Sequence, residues 1–187
     1  MKVQEIKDIQ ERIGAEPDGF WGPKSIAACQ RHLRSLMPAI NPWPNTDQQS
    51  LTQFFGKPGD ASRLTDLYVK DLDIRYDGDV VKTIRCNAKV ADSLRKVLES
   101  IASSEFNWVL DEYEGCYNNR SMRGGSLPSL HARGAAIDFC SDKNGNLTPW
   151  PVKATMPLEV MEFFAKEGWK AAGAFWGRDA MHFECTR

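Results

Sequence analysis

No run of apolar residues in this 187-residue chain approaches the 18 or so that a membrane span needs, which argues against membrane insertion. The first twenty residues hold Glu5, Asp8, Glu11 and Glu16 and no continuous apolar stretch, so a secretory signal peptide is not expected. A basic excess is also missing. Lys and Arg number 24 against 25 Asp and Glu, for a net charge of −1, and nucleic acid is not an expected partner. The five cysteines form no CxxC pair, which removes support for a thiolate zinc cluster or a thioredoxin-type site. Their odd number and wide spacing point to free thiols made in a reducing compartment. What remains is ordinary globular composition, 42% hydrophobic and 26% charged, long enough for one domain with some residues to spare.

Periodicity predicts a helix over residues 2–13, with Val3, Ile6, Ile9 and Ile13 on one stripe and Gly14 as its stop. A second helix starts near Pro23, with Ile26, Ala27, Cys29 and Leu33 as its apolar side. A third spans about 48–55, beyond a proline-rich bend at 38–47, and residues 56–71 read as loop. Asp77-Gly78, between DIRY and VVKTIR, predicts a hairpin. Residues 87–104 carry Val90, Leu94, Val97, Leu98 and Ile101 on one helical stripe, with Asn87 as N-cap. Strands are predicted at 106–115, 135–140 and 181–185, and a helix at 157–167. In AAIDFC, Ile137 and Phe139 face one way and Asp138 and Cys140 the other; His182 and Glu184 share a face of the last strand. Helices do not alternate regularly with strands, so the expected class is α+β, with a mostly antiparallel sheet and flanking helices. The expected division is a helical unit at 1–45, a linker or third helix and loop at 46–69, and a main domain at 70–187.

Three segments combine polar with small residues: GCYNNR (115–120), SLHARGAAIDF (129–139) and WGRDAMHFE (176–184). His131 precedes a strand, Gly134 permits a tight turn into it, and Asp138 projects from that strand. With His182 these make an N, N, O donor set suited to one zinc ion, leaving a fourth position for water. Such an open site lowers the pKa of its water and polarises a carbonyl. Asp179, in a turn three residues before His182, is placed to move a proton from the attacking water to a leaving amine. Spacing alone leaves open a second reading, with hydrogen-bonded histidines and surface carboxylates. Trp169 and Trp176 flank the last loop as core or pocket wall, Trp176 being the candidate for substrate contact. Cys140 reads as a small buried hydrophobe, His32 as structural or exposed, and Glu184 as either a partner of a metal ligand or a solvated charge.

These motifs resemble the VanY-like zinc peptidases, which include D-alanyl-D-alanine carboxypeptidases and the L-alanyl-D-glutamate endopeptidases of bacteria and phages. The pattern S-x-H, G-x-A-x-D and D/E-x-x-H is met by Ser129, His131, Gly134, Ala136, Asp138, Asp179 and His182. The resemblance covers about residues 70–187 and implies zinc on His131, Asp138 and His182 with Asp179 as catalytic base. Asp rather than Glu at 179 is similar to the phage endolysin branch. Arg120 matches an arginine of the family, and the chemistry suits a substrate carboxylate or an oxyanion. Tyr117 and Ser129 are further candidates for substrate contact, and Arg123-Gly124-Gly125 suggests a mobile loop.

Near the N-terminus, DGFWGPKS resembles the turn of the peptidoglycan-binding domain-1 family. That likeness covers about residues 1–37 and makes Asp18, Gly19, Phe20 and Trp21 candidates for wall contact. Together the resemblances imply a monomeric endolysin whose partner is peptidoglycan. It would be made in a host cytoplasm without a signal peptide and would act on the periplasmic wall after release. Two other readings stay open: D-alanyl-D-alanine carboxypeptidase chemistry, and a wall-binding or signalling module with a structural metal, as in hedgehog-like domains.

Overall fold

The computed structural model describes residues 2–187. Helix α1 (Val3–Arg12) turns Ile6 and Gln10 inward, with Ile13 just beyond it, while Val3 stays 63% exposed and contributes little to the stripe expected of it. Helix α2 (Pro23–Leu36) starts on Pro23, whose missing N–H costs nothing at a first turn. It buries Ala28, Cys29 and Leu33; Ala27, expected inside, faces solvent. Helix α3 (Gln48–Phe55) is capped by Asp47, whose carboxylate accepts the Ser50 N–H at 2.8 Å.

The stretch expected as loop at 56–71 contains strand β1 (Leu64–Tyr68). Asp77 and Gly78, with φ of 50° and 87°, form the left-handed turn that joins β2 (Arg75–Tyr76) to β3 (Asp79–Val80), as the sequence predicts. The hairpin is short. Strand β4 (Thr83–Asn87) leaves it and pairs antiparallel with β1, from Leu64 opposite Asn87 to Tyr68 opposite Thr83. The alternation of β4 explains this: Ile84 and Cys86 need a covered face, and both are fully buried in the new pairing.

Helix α4 (Ala91–Ala102) buries Leu94, Val97, Leu98 and Ile101 as expected. Asn87 is not its N-cap: Val90 takes that position, and the Asn87 amide donates instead to the carbonyls of Phe55 and Arg133, both at 3.0 Å. The strand predicted at 106–115 is a 3-10 turn at Asn107–Glu112 followed by strand β5 (Tyr113–Gly115). Val109 and Leu110 are both buried in that turn.

Strand β6 (Ala136–Phe139) precedes a single helical turn, α5 (Ser141–Asn144). Helix α6 (Leu158–Lys166), strand β7 (Lys170–Ala171), the short helix α7 (Ala172–Trp176) and strand β8 (His182–Glu184) complete the chain. The main sheet runs β5-β6-β8-β7 and is antiparallel throughout. The architecture is α+β with antiparallel sheets. No helix among the described residues is long and apolar enough to cross a membrane.

One apolar cluster runs from Ile13, Cys29 and Leu33 in the first helices to Leu98, Phe139, Phe164 and Phe183. Phe164 stacks on Phe183 with ring centroids 3.9 Å apart. Trp169 is fully buried, its indole N–H donating to Ser93 at 2.8 Å, and so belongs to the core. The proline-rich stretch is tied down by polar bonds: Asn41 to the Gly168 carbonyl, Trp43 to the Glu167 carbonyl, and the Arg187 N–H to the Pro44 carbonyl. All five cysteines are buried and free of disulfides.

The first two helices also meet α6 through Glu162. The Arg12 guanidinium forks onto it at 2.7 and 2.5 Å, and His32 Nε2 lies 2.7 Å from the same carboxylate. His32 therefore has a partner 130 residues away, outside the reach of local sequence reading. Burial works to raise the Glu162 pKa; the Arg12 and His32 hydrogen bonds overcome it and hold the group below the ordinary range. A lowered folded pKa means that the contribution is complete above the unfolded value and is lost as pH falls through the folded one. Glu162→Gln is expected to cost about 1.5–3 kcal/mol at neutral pH. The gap from wild type should narrow below pH about 4. Urea midpoints at pH 7 and 3 measure it, and an unchanged gap at pH 3 would show that the charge contributes nothing.

Candidate metal centre

The register of the main sheet builds most of the site. Asp138 on β6 pairs directly with His182 on β8, so their side chains leave the same face as neighbours. His131 comes from a 3-10 turn, Leu130–Arg133, that runs into β6 through Gly134. Ser129 caps that turn, its hydroxyl accepting the His131 N–H at 3.3 Å. Gly134 ends the turn at φ +63°, and a Cβ there would stand 2.7 Å from the Asn87 nitrogen and 2.9 Å from the Cys86 carbonyl carbon. The motif glycine is thus demanded by both backbone angle and space.

His131 Nε2, His182 Nδ1 and Asp138 Oδ1 form a triangle. The two nitrogens are 3.2 Å apart and lie 3.2 and 2.9 Å from the carboxylate oxygen. Ligands held tetrahedrally at zinc distances stand about 3.3 Å from one another, so the spacing suits such an ion. This is the group of potential metal ligands found among the described residues, and all three are buried. The outer ring nitrogens are also engaged: His131 Nδ1 bonds the Cys116 carbonyl at 2.7 Å, and His182 Nε2 faces Glu184 at 3.4 Å. With its proton on that outer nitrogen, each ring would present a lone pair to a cation at the centre.

The electrostatics follow from this packing. Burial opposes the Asp138 charge, yet hydrogen bonds from both histidines hold it well below the usual carboxylate range. Burial likewise opposes a charged His182, while Asp138 and Glu184 raise it to about 10. A cation at the centre of the triangle would supply the positive charge that this buried carboxylate favours.

Asp179 sits in the turn before β8 with φ +61°, a left-handed conformation that Asp tolerates better than most residues. Its carbonyl accepts the His182 N–H at 2.9 Å. Its Oδ1 is buried without a hydrogen-bond partner. Burial, with the Asp138 charge adding to it, raises its pKa, and His182, Arg178 and Arg123 offset part of the rise. An orphaned carboxylate oxygen beside a ready-made donor triangle fits a centre built to handle a cation and a proton.

These groups line a cleft of about 560 Å³. Trp176 forms part of its wall, stacked on His182 at 5.5 Å. Arg120 lines the cleft half-buried, donating to the Ser121 carbonyl at 3.2 Å, and lies outside any strand. Ser129, Arg123 and Arg178 line it too. Neither Tyr117 nor Cys140 is among the lining residues; Cys140 takes φ +57° just past β6, its Sγ 3.9 Å from the Val109 carbonyl.

Sequence reading missed two contributors. Thr46, Asp47, Gln48 and Leu51 supply another part of the cleft wall. Arg133, 2% exposed, ties that wall to the His131 turn by donating to Gly56, Gln48 and Thr52. Its position inside the His131–Gly134 motif was the available signal; its partners, 77 to 85 residues away, carry none.

At the N-terminal turn, Gln10 is the organiser. It donates to Asp18, Phe20 and Ser25 and accepts the Gly19 N–H. Sequence reading missed it, although it lies at helical spacing from Ile6 and Ile13. Phe20 is 71% exposed, whereas Trp21 packs edge-on against Trp150 at 5.4 Å.

No curated protein and no solved structure matches the chain. Over residues 123–185, the stretch that carries His131, Asp138, Asp179 and His182, it matches the model of a family described as D-alanyl-D-alanine carboxypeptidase.

Proposed function

We propose that this protein is a zinc-dependent peptidase of peptidoglycan that hydrolyses the L-alanyl–D-glutamate bond of the stem peptide. The observation that carries this reading is the convergence of His131, Asp138 and His182 in a cleft that Asp179, its Oδ1 buried without a partner, also lines. A structural zinc site is usually closed and rich in thiolates; this donor set is neither. His131, Asp138 and His182 would hold one zinc ion, which when bound would supply Lewis-acid polarisation of the scissile carbonyl and a more acidic water.

The chain's own groups do the rest. Asp179 takes a proton from the attacking water at its free Oδ1 and returns it to the leaving amine. Its raised pKa suits a group that must both accept and give a proton. The leaving D-glutamate keeps a free carboxylate next to the scissile amide, and Arg120 is the cleft cation assigned to it. Trp176 closes one side of the cleft, its ring stacked on that of His182. The exposed turn at Asp18, Gly19 and Phe20, with Trp21 behind it, is the proposed contact with the wall. In this reading the protein acts as a monomeric phage endolysin, made in the host cytoplasm and reaching the periplasmic wall on release.

Mass spectrometry of muropeptides released from purified sacculi by the zinc-loaded chain tests the proposal. New amino-terminal D-glutamate is the expected product. Release of D-alanine alone would assign carboxypeptidase chemistry instead, in line with the description of the matched family. No cleavage by zinc-loaded protein would overturn the enzymatic reading.

A further inference from the structure

Resting on that metal-centre reading, we infer that Glu184 is a positioning residue: it fixes the tautomer and tilt of His182 so that Nδ1, rather than Nε2, delivers its lone pair to the cation. The two histidines are held in different ways. His131 leans on a main-chain carbonyl, that of Cys116, which no substitution there removes. His182 leans on a side chain. Glu184 follows it by two residues on β8, so both project to the same face, while Phe183 between them enters the core. Glu184 Oε2 is 3.4 Å from His182 Nε2, and its Oε1 accepts the Thr186 hydroxyl at 2.6 Å. Thr186 is fully buried and Glu184 is 8% exposed.

A buried carboxylate is an expensive choice for a strand residue beside a core. An apolar side chain of the same size would serve packing as well or better. The side-chain hydrogen bonds of Glu184 go to the His182 ring and the Thr186 hydroxyl, and the second of these locks the first in place. Carboxylate–imidazole pairs of this kind orient the ring and raise its basicity toward a metal. Asp138 cannot do this work, because it meets the inner nitrogen of His182 and belongs to the centre itself.

Zinc affinity of the full-length chain, measured by competition with a chromophoric chelator, provides the test, with circular dichroism confirming the fold. Glu184→Ala is expected to weaken zinc binding about 10–100-fold. Glu184→Gln, whose amide oxygen still accepts from Nε2, should regain most of it. The visible spectrum of the cobalt-substituted protein should change in the Ala variant and not in the Gln variant. Wild-type affinity and an unaltered cobalt spectrum in Glu184→Ala would overturn the inference. Should that variant fail to fold, Thr186→Val decides: a loss of up to about 10-fold supports the relay, and unchanged affinity overturns it. A wild-type chain that binds no zinc would remove both this inference and the metal reading. A chain that binds zinc but cuts no muropeptide would fail only the substrate reading, since affinity still reports on Glu184.

Discussion

Asp179→Asn is expected to bind zinc as the wild type does and to lose turnover by about 10²–10⁴-fold. The substitution is nearly isosteric, and Asn tolerates the left-handed angle that Asp179 adopts, so the turn before β8 should persist. The Asp179 carbonyl, which accepts the His182 N–H, is unchanged by it. What disappears is the carboxylate oxygen that has no partner in the folded protein. An amide cannot take up the proton of the attacking water. The loss should fall on kcat rather than KM, because a proton carrier acts in the transition state and contributes little to ground-state binding. His131→Ala serves as the contrast: it removes a member of the donor triangle and should lose zinc and activity together. Full activity in Asp179→Asn would take this residue out of the mechanism and leave the orphaned oxygen without an assigned role.

How far the sequence revealed this site depended on the range of each interaction. His131, Asp138 and His182 were legible because a turn and two paired strands bring them together through short segments with clear alternation. The hairpin at Asp77-Gly78 was legible for the same reason, since its conformation is decided by two residues. The strand at 64–68 was not. Its partner begins fifteen residues later, and nothing in LTDLY alone competes with the loop signal of GKPGD before it. The segment 106–115 misled because its β-favouring residues form a 3-10 turn over Asn107–Glu112, and only Tyr113–Gly115 pair as a strand. The wall at Thr46–Leu51 and the Arg133 bonds that hold it are products of tertiary packing. Asn87 shows the cost of a purely local reading. Its type and position suited an N-cap, but two buried carbonyls from distant segments claimed its amide.

That same junction gives the largest expected stability effect. Gly134→Ala should destabilise the protein by about 2–5 kcal/mol: about 1–2 for a non-glycine residue in the left-handed region, and about 1–3 for forcing a methyl group into filled space. The added Cβ would stand 2.7 Å from the Asn87 nitrogen and 2.9 Å from the Cys86 carbonyl carbon, and both obstacles are backbone. Backbone there cannot yield cheaply. The Asn87 N–H donates to the Gly134 carbonyl at 2.8 Å, and the Asn87 side chain spans to Phe55 and Arg133. Any relief must therefore come from the His131 turn, which would carry Nε2 away from the donor triangle. Zinc affinity should fall along with stability. Gly14→Ala separates the two causes, since that glycine has φ +69° and open space around its Cβ position. It should show the conformational cost alone, about 1–2 kcal/mol, with zinc binding untouched. Equal losses for the two variants in urea unfolding would mean that β4 and the His131 turn give way freely, and that the close approach at Gly134 is not what holds His131 in place.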